Sequence, residues 1–154
     1  SDALLKSNLA KSHSPYYLMS QLGGNAKKLG KKDEAVNWYQ QAYDKSVGPA
    51  TRLQWGAGYV TNLVELTPQD APRIEKAVQA VIADAAKDKN AFYDRSARSM
   101  QRIGKKLAEW NGKGEHAASV RRLQTQWQQL CGRVSADQKQ ACEAAAASLV
   151  AAKG

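Results

Sequence analysis

The sequence predicts an all-helical protein, built as a short right-handed stack of antiparallel helix pairs with a closing C-terminal helix. Apolar residues recur at three- and four-residue spacing along most of the 154 residues. The period-two alternation that is typical of strands is nearly absent, and Gly and Pro punctuate the chain between the periodic segments. Short amphipathic helix pairs cannot bury their apolar faces alone, so they must stack on neighbours. The length suffices for one domain with a core.

The first helix pair is expected over residues 15–45. Residues 1–14 are expected to be a linker or the tail of a preceding domain, and their leucines would also suit a short helix. Pro15 suits the first helical position. Gly30 is placed to end the first helix in a left-handed cap, and Asp33 can help to start the second. The buried stripes of the two helices are expected at Met19, Leu22, Ala26 and Leu29, and at Ala35, Tyr39 and Ala42.

The second pair is expected over residues 50–86, within a single domain that runs from residue 15 to residue 154. Between its helices, Thr67 supplies a capping oxygen and Pro68 fits the first turn. Asp70 favours the positive end of the helix that follows. The apolar faces are expected at Leu53, Gly56, Val60, Leu63 and Leu66, and at Ile74, Ala77, Val78, Val81, Ile82 and Ala85.

The third pair is expected over residues 91–131, and a capping helix over residues 135–152. Ile103 and Gly104 repeat the Leu22-Gly23 pattern of the first pair, whereas Arg121 stands where the first pair has Tyr39. Residues 135–138 read as a capping box that opens the last helix. That helix would cover the exposed face of the last pair, as the ends of repeat arrays require.

One stretch resembles a tetratricopeptide repeat, a family of paired helices; the alternative is a generic helical hairpin. The resemblance implies a concave groove, lined by the first helix of each pair, that holds extended peptides. It rests on Met19, Leu22, Gly23, Ala26, Gly30, Ala35, Tyr39 and Ala42. By the same resemblance, the groove-facing positions would be Tyr17, Lys27 and Lys28 in the first pair and Arg98, Gln101 and Lys105 in the third. Such a cationic groove would suit an acidic segment or a peptide C-terminus.

The net charge of +9 is concentrated between residues 92 and 134. It predicts attraction to acidic partners and says nothing about the fold. Two interpretations are open: a docking surface for an acidic peptide or domain, and a merely solvated basic face. Tyr93 and Trp110 only bracket the four cations Arg95 to Lys105 and do not alternate with them, which disfavours nucleic acid. Four of its cations lie one turn apart on one helix and are called the basic stripe: Arg95, Arg98, Arg102 and Lys105.

Cys131 and Cys142 are the only cysteines. A disulfide between them would staple the last helix to the stack, contribute about 2–3 kcal/mol and indicate an oxidising compartment. The alternative is two buried thiols that never meet. Neither cysteine has the Cys-x-x-Cys context of a redox catalyst, and neither His13 nor His116 has metal-ligand spacing relative to them. We therefore expect no catalytic residue, metal or cofactor in this chain, and no membrane span.

Three further stretches give a narrower resemblance, to the helical C-terminal half of bacterial exported thioredoxin-like proteins, which include thiol:disulfide isomerases. They are residues 14–17, residues 30–39 and residues 48–56, and the late cysteine pair agrees with them. The resemblance implies an upstream thioredoxin-like domain in the same polypeptide, a non-catalytic interaction role here, and a periplasmic or exported location. A start without Met agrees with an excised fragment. The alternatives are a free-standing peptide-binding adaptor and a basic nucleic-acid-binding helical domain.

Overall fold

The computed structural model describes residues 2–9 and 15–150. Within those residues the chain forms eight α-helices and one short 3-10 helix and contains no strand, which confirms the all-helical prediction. The helices are α1 (Asp2–Leu9), α2 (Pro15–Lys28), α3 (Lys32–Lys45), α4 (Pro49–Leu66), α5 (Ala71–Lys87), α6 (Asp94–Trp110), α7 (Ala117–Cys131), a 3-10 turn (Ala136–Gln138) and α8 (Lys139–Ser148). Part of the predicted N-terminal linker is therefore helix α1. His13 and residues 151–154 lie outside the described residues.

The turn between α2 and α3 forms as its residues predict. Pro15 is the first residue of α2, and Gly30 adopts a φ of 75° just after the end of that helix. The Lys31 amide then donates to the carbonyl of Ala26 at 2.9 Å, which satisfies a carbonyl at the helix end. Leu29 was expected in the buried stripe but is 67% exposed, because α2 ends one residue before it.

Two of the predicted caps are wrong in detail. Asp70, and not Thr67, caps α5, and its carboxylate accepts from the Arg73 amide at 3.2 Å. Thr67 instead follows the end of α4, where its hydroxyl donates to the Leu63 carbonyl at 3.0 Å. The chain needs residues 67–70 to turn, so only the last of them can start the next helix.

The predicted capping box at residues 135–138 is a tertiary contact instead. Gln138 is 2% exposed, and its amide oxygen accepts from the Phe92 amide at 2.9 Å. Its amide nitrogen donates to the Lys89 carbonyl at 2.7 Å and to the Ser135 hydroxyl at 2.8 Å. Gln138 therefore fixes the loop before α6 to the segment before α8.

The helices pack as two direct pairs followed by a more open group of three. Helix α2 packs on α3, and α4 packs on α3, α5 and α6. Helix α6 makes its main contacts with α4 and α8, while α7 contacts α5 and α8. The core between these helices is filled by large side chains such as Met100, Leu107 and Trp127, all fully buried. Helix α8 thus closes the space between α6 and α7.

Two glycines at equivalent positions leave room for a close contact with a neighbouring helix. A Cβ on Gly23 would lie 3.1 Å from the Tyr39 ring on α3, the second helix of its own pair. A Cβ on Gly104 would instead lie 2.6 Å from the Ser148 hydroxyl on α8. Helix α7 carries Arg121 where the first pair carries Tyr39, so the small residues of α8 take over this contact.

The two cysteines form a disulfide that holds α8 in place. Their Cα atoms lie 5.5 Å apart, and the bond joins the last residue of α7 to the first turns of α8. Both residues are buried. The predicted pairing of Cys131 with Cys142 is confirmed, and it fastens the terminal helix α8 to the end of α7.

Candidate protein-binding surface

Glu65 joins the three helices α2, α4 and α6 into one continuous face. Its carboxylate accepts from Lys27 on α2 at 3.1 Å and from Lys106 on α6 at 3.2 Å. Lys106 also pairs with Glu109 at 3.2 Å, and Lys27 also donates to Asn62 at 3.2 Å. These bonds set the C-terminal parts of the three helices side by side. Lys27, predicted to face a peptide groove, therefore has structural partners already.

The ion pairs at Glu65 hold their charges at neutral pH. Partial burial raises the pKa of the Glu65 carboxyl, but hydrogen bonds and charge from Lys27 and Lys106 outweigh it, so its pKa lies below the ordinary 4.5. Burial lowers the pKa of the Lys106 ammonium, and its two carboxylate partners reverse this, so its pKa lies above 10.5. The arrangement is an alternating chain of charges with no net excess.

An aromatic cluster lies toward the N-terminal end of the same face. The rings of Tyr16 and Tyr17 have centroids 5.6 and 5.3 Å from that of Trp55 on α4 and 5.0 Å from each other. Tyr17 is 59% exposed. Ten positions separate Tyr17 from Lys27 in α2, and the same number separates Trp55 from Glu65 in α4. Ser96, at the start of α6, is likewise ten positions before Lys106. At about 1.5 Å per residue, the cluster lies about 15 Å from Glu65, level with the start of α6.

The basic stripe lies on the exposed surface of α6. Arg95, Arg98, Arg102 and Lys105 are all exposed, as is the neighbouring Gln101. Within residues 2–9 and 15–150, none of the four cations is ion-paired with a carboxylate. Lys28, the other predicted groove cation, is also exposed at the end of α2. The stripe therefore carries an uncompensated positive charge on one helix.

A shallow apolar groove separates α6 from α8, beside the basic stripe. It encloses about 560 Å³ and is lined by Gln101, Lys105, Ala108 and Glu109 of α6 and by Ala141, Ala144, Ala145 and Ser148 of α8. Four of its eight lining residues are alanines. This groove was not predictable from the sequence, because its two walls are far apart in the chain.

Elsewhere, arginines serve to connect helices. Arg52 on α4 donates to the Asp84 carboxylate at 3.2 Å and to the carbonyls of Tyr43 and Ser46 at 3.2 and 3.0 Å. Its guanidinium lies 4.7 Å from the centre of the Tyr43 ring, and the Tyr43 hydroxyl donates to Asp84. Burial raises the pKa of the Tyr43 phenol well above 10.0, and the hydrogen bond to Asp84 adds to this.

Arg73 on α5 connects three helices in a similar way. Its guanidinium donates to the Tyr59 hydroxyl on α4 at 3.0 Å. It also donates to the side-chain amides of Asn37 and Gln40 on α3, at 3.0 and 2.7 Å. These bonds use three of the five N–H donors of its guanidinium.

Arg122 on α7 forms the third connection, a bidentate pair with Glu75 on α5. Both N–O distances are 2.8 Å. The hydrogen bonds from Arg122 lower the pKa of the Glu75 carboxyl below 4.5. We call Arg52, Arg73 and Arg122 the bridging arginines, because each joins its helix to a neighbour.

Comparison with protein-family models, with curated proteins and with solved structures yields no match to this chain. The resemblances to tetratricopeptide repeats and to thioredoxin-like proteins therefore stay predictions. Across residues 2–9 and 15–150 there is no group of three or more His, Cys, Asp or Glu side chains that could hold a metal ion. In that part of the chain, no helix has the length and apolar character needed to cross a membrane.

The structure brings the predicted site residues together only in part. The basic stripe and Gln101 share α6, while Tyr17 belongs to the aromatic cluster at the far side of the face. Sequence reasoning missed Tyr16 and Trp55 as members of that cluster. The available signal was that Trp55 directly precedes the buried Gly56, so the helical rotation places Trp55 at the edge of the buried face of α4.

Proposed function

We propose that this chain is a non-catalytic protein-binding domain that captures an acidic protein segment on the exposed surface of α6. The observation that carries the proposal is the basic stripe: four exposed cations on one helix without a carboxylate partner among the described residues. Charged groups of this kind steer a complementary partner and fix its orientation. The neighbouring apolar groove supplies contact area that a purely ionic surface lacks.

The composition of the face supports a protein partner. Arginine, tyrosine and tryptophan are enriched among the residues that dominate protein–protein binding energy. Here Tyr16, Tyr17 and Trp55 lie on the face whose α6 edge is arginine-rich. The ion pairs at Glu65 hold the helices of this face together, so little ordering is needed on binding.

We further propose that the domain accompanies a periplasmic or exported thioredoxin-like thiol:disulfide isomerase. The resemblance of three sequence stretches supports this, and the disulfide agrees with an oxidising compartment. The open reading frame that contains this chain should encode a Cys-x-x-Cys thioredoxin-like segment upstream. A reading frame that begins with a signal peptide directly before this domain would favour the free-standing adaptor. A thiol-reductase assay on this chain alone should show no turnover.

The binding proposal is tested with a fluorescent 15-residue peptide of alternating Glu and Ser, which is acidic and stays extended. Arg98→Glu with Arg102→Glu reverses two charges of the basic stripe. Lys31→Glu with Lys32→Glu makes the same change in net charge at the exposed turn between α2 and α3. We expect the first variant to bind at least tenfold more weakly and the second to stay within twofold. Equal losses, or no binding by the unmodified chain, would overturn the proposal.

The second candidate function is binding of single-stranded nucleic acid, which the aromatic cluster beside a cationic helix favours. Nucleic-acid binding of this kind falls steeply with salt concentration because counterions are released. A 15-nucleotide oligo-dT probe should bind more weakly than the acidic peptide at physiological salt. Tighter binding of oligo-dT, lost on Trp55→Ala, would reassign the surface to nucleic acid.

A further inference from the structure

We infer that the groove between α6 and α8 is a docking site for an amphipathic helix with an acidic edge. This rests on the proposed function and specifies the conformation of the partner. The groove wall on α6 includes Gln101, Lys105 and Ala108, and the wall on α8 includes Ala141, Ala144 and Ser148. The basic stripe continues from Lys105 onto the exposed surface of α6.

The groove is shallow because the two helices nearly touch beneath it. A Cβ on Gly104 would lie 2.6 Å from the Ser148 hydroxyl and 3.3 Å from the Ala145 carbonyl oxygen. The methyl groups of Ala108 and Ala145 are almost fully buried at its base. A partner therefore meets a smooth apolar floor instead of a deep pocket, and small floor residues let a helix axis approach within about 8–10 Å.

The groove is also rigid. The disulfide fixes α8 to the end of α7, and Gln124 on α7 donates to the Ala146 carbonyl at 3.2 Å. Leu149, just after α8, is fully buried. A groove formed before binding costs little conformational entropy when a partner docks.

The dimensions favour a short helix. Helix α8 has 10 residues and so forms a wall about 15 Å long. Three turns of a partner helix would span it, with apolar residues at i, i+3 or i+4, and i+7 in contact with the alanines. An extended peptide would place every second side chain away from this floor.

The charge of the groove margin favours an acidic partner. Lys105 lies in the wall, and Arg98 and Arg102 lie beyond it on the same helix. Glu109, the carboxylate of the wall, is already paired with Lys106. A second copy of this chain is disfavoured as the occupant, because each copy carries a net charge of +9 and copies repel one another.

The test compares two synthetic 15-residue peptides of identical composition. In the first, leucines occupy one helical face and glutamates one edge; in the second, the same residues are permuted so that no face is apolar. Binding is measured by fluorescence anisotropy to the unmodified chain, to Ala144→Glu and to Ala147→Glu. Ala144 lines the groove, whereas Ala147 is an exposed alanine of the same helix outside it, so the two variants match in charge.

We expect the amphipathic peptide to bind at least tenfold more tightly than the permuted one. Ala144→Glu should remove most of that difference, and Ala147→Glu should leave it within twofold. Circular dichroism melting of both variants confirms that they fold. Equal binding of the two peptides, or equal effects of the two variants, would overturn the helix-docking inference. If Arg98→Glu with Arg102→Glu still weakens the extended acidic peptide in that case, the proposed function survives without it.

Discussion

The cations of this molecule form two groups, which differ in whether a neighbouring helix provides a partner for them. Each bridging arginine donates to oxygens of a neighbouring helix, and Arg52 and Arg122 do so to carboxylates at 3.2 and 2.8 Å. The cations of the basic stripe are exposed, and none is paired with a carboxylate within the described part of the chain. The bridging arginines thus form contacts between helices, whereas the cations of the basic stripe have no carboxylate partner among the described residues.

This difference predicts which cations stabilise the fold and which are available to bind a partner. Like charges one turn apart on a helix destabilise it by about 0.2–0.5 kcal/mol per pair. That repulsion is present among the cations of α6. Elsewhere carboxylates lie beside cations, as Glu65 does between Lys27 and Lys106. We therefore expect substitutions of the bridging arginines to reduce stability and substitutions in the basic stripe to reduce binding.

The largest effect is expected for Arg52→Ala. Removing this cation leaves the Asp84 carboxylate, whose side chain is only 15% exposed, with the Tyr43 hydroxyl but no positive partner. Hydrogen bonds to charged groups contribute about 1.5–3 kcal/mol, so we expect a loss of about 2–3 kcal/mol in urea unfolding. Arg52→Ala combined with Asp84→Asn should recover part of it. A loss of less than about 0.5 kcal/mol would remove Arg52 from the bridging set.

A smaller effect is expected for Arg73→Ala. Its bonds to Tyr59, Asn37 and Gln40 are to neutral groups, and the Asn37 bond is exposed. We expect a loss of about 1–2 kcal/mol in the same unfolding assay. Lys76→Ala, on an exposed position of the same helix, is the matched control and should change stability by less than about 0.5 kcal/mol.

Glu65→Gln should have a still smaller effect, of about 0.5 kcal/mol, because exposed ion pairs contribute little. The pKa of the Glu65 carboxyl is lower in the folded chain than its ordinary 4.5, so folding favours the ionised form. The stabilisation is thus present above that ordinary pKa and is lost as the pH falls through the folded pKa. The melting temperatures of the unmodified chain and Glu65→Gln should differ most at pH 7, and the difference should shrink as the pH is lowered below 4.5. A difference in melting temperature that grows as the pH falls would contradict a lowered pKa for the Glu65 carboxyl.

The smallest effect on stability is expected for Arg98→Ala with Arg102→Ala. Removing two neighbouring like charges should change the free energy of unfolding by about 0.5 kcal/mol or less, with any change toward greater stability. The same variant should lose most of its affinity for the acidic Glu-Ser peptide. A clear destabilisation would show that the basic stripe belongs to the fold after all.

The sequence was informative where one helix carries the whole signal. Pro15 marks the start of α2, and Gly30 marks the turn that follows its end. The basic stripe is visible in the sequence because its residues recur one turn apart. The contact of Gly104 with Ser148 was not predictable, since periodicity shows which face is buried and not which helix covers it. The groove and the aromatic cluster were missed for the same reason: each combines residues from different helices. The sequence could not show which of Thr67 and Asp70 supplies the capping oxygen, because both are good capping residues three positions apart.

The division between cations that stabilise the fold and cations that bind a partner is tested most directly by amide chemical-shift mapping. The measurement uses ¹H–¹⁵N NMR with the acidic amphipathic peptide. We expect shifts that follow a single binding isotherm and are confined to α6, α8 and the edge of α4 that faces them. Amides of α3, α5 and the Lys31–Lys32 turn should not move. Shifts spread evenly over all exposed cations, or concentrated beside the bridging arginines, would contradict the assignment of α6 as the binding surface.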